Sequence, residues 1–239
     1  MPSKKQKEKA RVSREERKAR RTRSRMALWT SVIAGLMVLV IGIVWFAAPP
    51  SSDVAGRPNP SLTEISHNEW IKGNPNAPVT LVEYSDFQCP SCGNYFPLLK
   101  QLSDEYKDQL RIVYRHYPLS FHAHAELAAQ AAEAAGKQGR FWEMHDLIFR
   151  QQKDWSEKVG SARSLFVGYA RELGLDMARF EADLDSKEVR QAVDADRRSG
   201  DWVGVDSTPT FFLNGVKIQN PRGYDPFKNL IEKALPDVS

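Results

Sequence analysis

Cysteine is almost missing from this chain: 239 residues contain two, Cys89 and Cys92. The pair therefore has no disulfide partner elsewhere, and a zinc site made from two cysteine pairs is excluded. Histidine is scarce too, at five residues, and forms no dense ligand cluster with the cysteines. No glycine-rich loop with phosphate-binding spacing occurs, so the sequence names no cofactor. No internal repeat is visible, and low complexity is confined to one alanine-rich stretch.

Acidic residues are sparse at the start. Residues 1–25 hold twelve Lys/Arg against three Glu, a net charge of +9. The overall +4 thus misrepresents the remainder, where 22 Lys/Arg face 27 Asp/Glu. A basic tail can signal nucleic-acid or anionic-lipid binding. Here it reads instead as a topogenic flank, and no nucleic-acid partner is expected. Met26 to Ala48 follows with no charge at all. At helical rise it spans roughly 30–35 Å, enough to cross a bilayer. Trp29 and Trp45 stand near its ends, where amphipathic rings favour the interface. The positive flank predicts a cytoplasmic N-terminus, a single-pass anchor in the cell membrane, and export of everything after it. A cleaved signal peptide is the alternative. It would have a shorter apolar region, and cleavage after Ala48 would put Phe46 at the −3 position, where a small residue belongs.

Four prolines, with Ser and Gly, make residues 49–62 a semi-extended linker. Residues 63–239 are the length of one domain with a real core. His67 to Lys72 is a candidate leading strand, ended by the Gly73–Pro78 turn signal. Val79 to Tyr84 is β-branched and apolar, a buried strand. Asn94 to Tyr106 has helical spacing, and Leu110 to Tyr117 alternates as a second core strand. Strand, helix, strand in this order implies a right-handed parallel pair. A helical block follows over about 120–203: 122–138, 140–151, 161–173 (stopped by Gly174), 176–184 and 186–202, the last two with capping side chains at their starts. Strand character returns at Thr210–Leu213. Asn214-Gly215 is a hairpin signal, Val216–Ile218 returns, and Asp225–Ala234 is a closing helix. The order is that of an α/β thioredoxin fold with an inserted helical subdomain, preceded by the transmembrane helix.

Cys89-Pro90-Ser91-Cys92 lies between the first core strand and the following helix. A C-x-x-C so placed is a thiol redox arrangement. The helix N-terminus favours the thiolate, the species that attacks a disulfide. Thr208-Pro209 immediately precedes the Phe211 strand. Proline there removes a ladder donor. In a thioredoxin fold a cis peptide at this point faces the cysteines, leaves the preceding backbone free to pair with a substrate chain, and fills space in which a metal could bridge the sulfurs. An ordinary trans proline opening a strand is the alternative.

In VEYSDFQCPSC, QGRFWEMHDLIF and GVDSTPTFFLNG, over roughly residues 64–235, the chain resembles the DsbA-like thiol–disulfide oxidoreductases, in their membrane-anchored branch. The resemblance implies that Cys89 is the exposed attacking thiol and Cys92 the buried resolving one. It implies that Thr208 and Pro209, with Pro90 and Ser91, meet the substrate. It makes Glu83 a buried acid that assists proton transfer to or from Cys92; the alternative is a strand-edge carboxylate facing solvent. It further implies reduced exported proteins as substrates and a quinone-linked membrane reoxidase as partner. Strongly oxidising members often carry Pro-His between the cysteines. Pro90-Ser91 supplies no imidazolium, so weaker stabilisation of the thiolate is expected.

The cysteine pair admits other readings. Half a zinc site would need His116, His122 or His124 as further ligands; these read as surface or capping residues. A static bridge closing so short a loop would constrain little of the unfolded chain. Phe141, Trp142, Phe149, Phe211 and Phe212 read as core rather than as a peptide groove, and Glu126 and Glu133 as a solvated face. The function expected is formation or exchange of disulfides outside the cytoplasm. A membrane-held reductase, or a non-redox chaperone module, is the alternative. Gln88, where reductases often carry Trp before the C-x-x-C, and the long helical insertion argue against the reductase.

Overall fold

Apolar β-branched runs and alternating strands assemble here around one central strand. The computed structural model describes residues 69–236, together with Met37, Asn59 and Leu62. The basic tail and the anchor expected over 26–48 lie outside these residues, except for Met37, which is helical. Among the described residues no helix is long and apolar enough to cross a membrane.

The elements are β1 (Trp70–Gly73), β2 (Val79–Ser85), α1 (Pro90–Glu105), β3 (Leu110–His116), α2 (Ala125–Gly136), α3 (Phe141–Arg150), α4 (Gln152–Trp155), α5 (Arg163–Glu172), α6 (Met177–Leu184), α7 (Lys187–Trp202), β4 (Thr210–Leu213), β5 (Val216–Ile218) and α8 (Tyr224–Ala234). All belong to the compact unit Val54–Ser239. Sheet order is β1-β3-β2-β4-β5. Strands β2 and β3 are parallel, from Val79 opposite Leu110 to Ser85 opposite His116. The other three pairings are antiparallel. Every residue of β2 is buried, as expected of a strand covered on both faces. The β4–β5 turn places Asn214 and Gly215 at φ 47° and 80°, which this residue pair tolerates best.

Three apolar clusters hold the layers. Leu81, Ile112 and Phe211 pack with Leu99 and Leu102 of α1 and Phe227 and Ile231 of α8. Val82, Tyr84, Val113 and Phe212 pack on the opposite face with Val205 and Leu62. The third and largest cluster joins the insertion to the sheet: Phe87, Tyr114, Phe141, Ile148 and the alanines of α2 pack together with both cysteines. The active-site turn is therefore part of the core of the helical insertion.

Three expectations change. Leu62, assigned to the linker, is buried, and the Asn59 amide donates to the Gly215 carbonyl at 3.0 Å, so the linker's end is docked on the domain. An apolar residue next to an uncovered sheet face gains by packing there. Glu133 is buried rather than solvated. Neighbouring elements cover α2 there, and the carboxylate accepts from Trp70 Nε1 at 2.6 Å and lies 3.0 Å from His116 Nε2. His116, expected at the surface or in a cap, is buried because its strand is interior, whereas His124 is the N-cap residue of α2, as a capping residue was expected to be, though buried. Phe141, Phe149, Phe211 and Phe212 are buried and Trp142 is half-buried, so these rings are core.

Candidate active site

The strand hands its chain directly to the helix through Asp86-Phe87-Gln88. Cys89 is the N-cap of α1 in extended conformation, with φ −69° and ψ 121°. Pro90 occupies the first helical position, where no N–H is needed. Helix α1 thus begins four residues earlier than its apolar spacing indicated, because that spacing registers only the buried face. Cys89 is 8% exposed and Cys92 0%, and both are free thiols. Cys89 Sγ donates to the Thr208 carbonyl at 3.4 Å. Cys92 Sγ accepts from the Asp86 amide at 3.5 Å. Thr208–Pro209 is a cis peptide. Its loop is anchored on both sides: Asn220 Nδ2 donates to the Pro209 carbonyl and Thr210 Oγ1 to the Ser207 carbonyl.

The two thiols are pushed in opposite directions. Cys89 is pulled down to about 5, chiefly by a hydrogen bond from Cys92, with help from Thr208 and the amides of Cys92 and Ser91, against the opposing effect of burial. Burial pushes Cys92 well above the ordinary thiol range, and Cys89 and Glu83 push it further. At neutral pH Cys89 is a thiolate and Cys92 a thiol; Cys89, expected to be the exposed thiol, is nearly as buried as Cys92, because the turn packs into the insertion's apolar cluster. The missing imidazolium between the cysteines does not abolish the effect, because the stabilising donors are amides, a hydroxyl and the second thiol. Pro90 and Ser91 are exposed beside Cys89. Thr208 Oγ1 is buried and, among the described residues, has no other hydrogen-bond partner, so its O–H is available to the thiolate.

Glu83 points inward: it is 3% exposed, and burial pushes it up to about 7, Ser85 opposing. Tyr114 stands opposite it across the β2–β3 pair. Its hydroxyl is buried, and burial, Glu83 and Cys92 push its acidity down, with Ser85 opposing.

Several residues that fix this geometry were not foreseen. Asp86 is buried; Oδ1 accepts from the Gln88 amide at 2.7 Å, and Oδ2 from the Leu119 amide at 2.8 Å and lies 2.7 Å from His122 Nδ1. The Asp-x-Gln spacing of such a turn was a usable signal. Gln152 Nε2 donates to the carbonyls of Phe87 and Cys89, at 2.7 and 2.9 Å. Gln88 reaches the Ser156 carbonyl and accepts from the His124 amide. Nothing in the sequence marked Gln152, a polar residue in a polar run some sixty positions away. The insertion therefore grips the cysteine turn by its backbone. Among the described residues, no group of three or more His, Cys, Asp and Glu is placed to hold a metal ion. The arrangement can attack, carry and release a sulfur with the electrons on the pair itself.

A family model described as thioredoxin matches residues 66–233. Among solved structures, BdbD of Bacillus subtilis in its oxidised form is 25% identical with a TM-score of 0.63, covering 76% of this chain and 97% of that one. Wolbachia pipientis α-DsbA1, at 21% identity and a TM-score of 0.65, covers 73% and 94% and shares the fold. Among curated proteins, the Na(+)/H(+) antiporter NhaA 1 of Salinispora arenicola is 45% identical over 151 residues, which is 62% of this chain and 22% of the antiporter. The chain spans about a quarter of the length of the curated relatives it matches. With the family match running the length of the α/β domain, the chain belongs to the thioredoxin family, among the thiol–disulfide oxidoreductases of DsbA type.

Proposed function

We propose that this protein forms or exchanges disulfide bonds in exported proteins, as an oxidase rather than a reductase, with residues 26–48 holding the domain on the outer side of the cell membrane. The observation that carries the redox direction is the split between the two thiols, a Cys89 pulled down to about 5 beside a Cys92 pushed up by burial. A stabilised thiolate favours the reduced pair, and a protein whose reduced form is favoured gives its disulfide away. The charge step from the basic tail to the uncharged stretch supports the location. So does the match to part of several membrane antiporters.

In this reading a substrate thiolate attacks Cys89 Sγ of the oxidised pair, and Cys92 leaves as a thiolate and takes up a proton, with Glu83 as the adjacent acid. The mixed disulfide lies against Thr208–Pro209, with Pro90 and Ser91 on the same exposed side. A second substrate thiolate attacks the substrate sulfur, the substrate disulfide forms, and Cys89 leaves, aided by its low basicity. Two electrons remain on the pair, and a quinone-linked membrane partner takes them.

The test is the reduction potential of the full chain against glutathione. A value near about −120 mV supports a disulfide donor; a value near about −270 mV would reverse the direction to reduction. Cys89→Ser is expected to abolish turnover, and Cys92→Ser to accumulate mixed disulfides visible on non-reducing gels. Retention of activity by the double serine variant would instead identify a chaperone. The full chain should sediment with membranes and stay there in alkaline wash; a freely soluble full chain would refute the anchor.

A further inference from the structure

Cys92 is fully buried, and so is the acid beside it. Each turnover nevertheless moves a proton onto Cys92 when the pair is reduced and off it when the pair is reoxidised. Glu83 lines a cavity of about 20 Å³ with Lys72, Lys100, Trp142 and His145. That is room for about one water. His145 is itself buried, wedged against Tyr114, Trp142 and Phe149, with ring centroids 4.8–5.0 Å away. Its Nδ1 lies 2.9 Å from Asp146 Oδ1, which is 3.4 Å from Lys72 Nζ. The Asp146 side chain is 20% exposed. A carboxylate at Nδ1 holds the proton there and leaves Nε2 as the lone-pair nitrogen.

We propose that His145 and Asp146, joined to Glu83 through a water in the shared cavity, are the proton outlet of the redox site. The proposal rests on the thiol-exchange reading above. On reoxidation Cys92 gives its proton to Glu83. The acid passes one through water to His145 Nε2, and Nδ1–H is released to Asp146 and solvent. On reduction the same chain runs inward: Glu83 protonates the leaving Cys92 thiolate and is recharged from His145. The ring changes tautomer in each half-reaction and is restored over the cycle, so protons balance. Burial keeps the imidazole neutral, pulled down to about 4 against the opposing effect of Asp146, as such a relay requires. The other groups facing this path are Lys72 from β1, Lys100 and Cys92 from α1, and Tyr114 and His116 from β3. Tyr114 is pushed further from titration by burial, so it is no outlet.

His145 acts on the sulfurs only through Glu83, and the test uses that dependence. The full chain in detergent is oxidised, and its reduction by dithiothreitol is followed by stopped-flow fluorescence on both sides of neutrality. His145→Phe keeps an aromatic ring among its neighbours but cannot pass a proton. It should slow the step by about tenfold at neutral pH and flatten its pH profile. The equilibrium constant with glutathione should stay within about twofold, because Cys89 sets it. In a Glu83→Gln background the same substitution should cost nothing further. Asp146→Asn, at the partly exposed rim, should slow the step by about threefold, and it decides the matter if His145→Phe does not fold. A wild-type rate and profile in either variant, or an undiminished effect of His145→Phe in the Glu83→Gln background, overturns the relay alone. A wild-type chain that exchanges no thiols overturns the functional reading and the relay with it.

Discussion

The buried carboxyl of Glu83 ties the stability of the domain to pH. In the unfolded chain it ionises near 4.5, and in the folded protein near 7. The folded state holds the proton more tightly, so this group stabilises fully below about pH 4.5. That contribution is lost as pH rises through about 7. The difference amounts to roughly 3 kcal/mol. In the dithiol, Cys89 has the opposite slope: its pKa is depressed on folding, so its contribution is lost as pH falls through about 5. The disulfide form removes the thiol titrations, and comparison of wild type with Glu83→Gln cancels the other buried groups, Asp196 and His145. There Glu83→Gln should match wild type at about pH 4 and exceed it by roughly 3 kcal/mol at about pH 8, read from urea midpoints. An unchanged pH dependence in the variant would show that Glu83 is not the source.

At the scale of elements, the redox turn depends on a close approach of α1 to α4. A Cβ on Gly93 would stand 2.5 Å from Gln152 Oε1, and Gln152 holds the carbonyls of Phe87 and Cys89. Gln152→Ala should destabilise by about 1–2 kcal/mol through two weakened backbone bonds. Gly93→Ala displaces the same amide, offsetting the gain of about 0.5–1 kcal/mol that alanine brings to a helix. In the Gln152→Ala background the clash is gone, and Gly93→Ala should stabilise by that full amount. Additive effects of the two substitutions would show that they do not share this contact.

Over the whole molecule, three clusters share the sheet, and the insertion's cluster includes the cysteines. Loosening the insertion therefore disturbs the chemistry as well as the packing. The opposite sheet face is completed from outside the α/β order, by Leu62 against Val82, Val113 and Phe212. Leu62→Ala should cost about 3 kcal/mol in chemical denaturation. A soluble fragment starting beyond residue 62 should be less stable than one starting at Val54. Equal stability of the two fragments would show that the docked residue contributes nothing.

What the sequence determined by itself is local. Periodicity and branching marked β2, β3, β4 and the helices of the insertion, because a side chain's preference for strand or helix is carried by its own segment. Asp176 and Ser186 were legible as caps for the same reason, and each accepts from the amide three residues on. The C-x-x-C and Thr-Pro stood out because few residue types can do their work. What only the tertiary structure decided is burial, and with it acidity. Glu83 and Glu133 are both carboxylates in apolar neighbourhoods of sequence, yet one is a raised acid under the sulfurs and the other lies 3.0 Å from His116 Nε2 and accepts from Trp70 Nε1. Gln152 and His145 gained their places only when helices distant in sequence closed over the turn. Desolvation and hydrogen bonding depend on neighbours in space, and those neighbours come from every part of the chain.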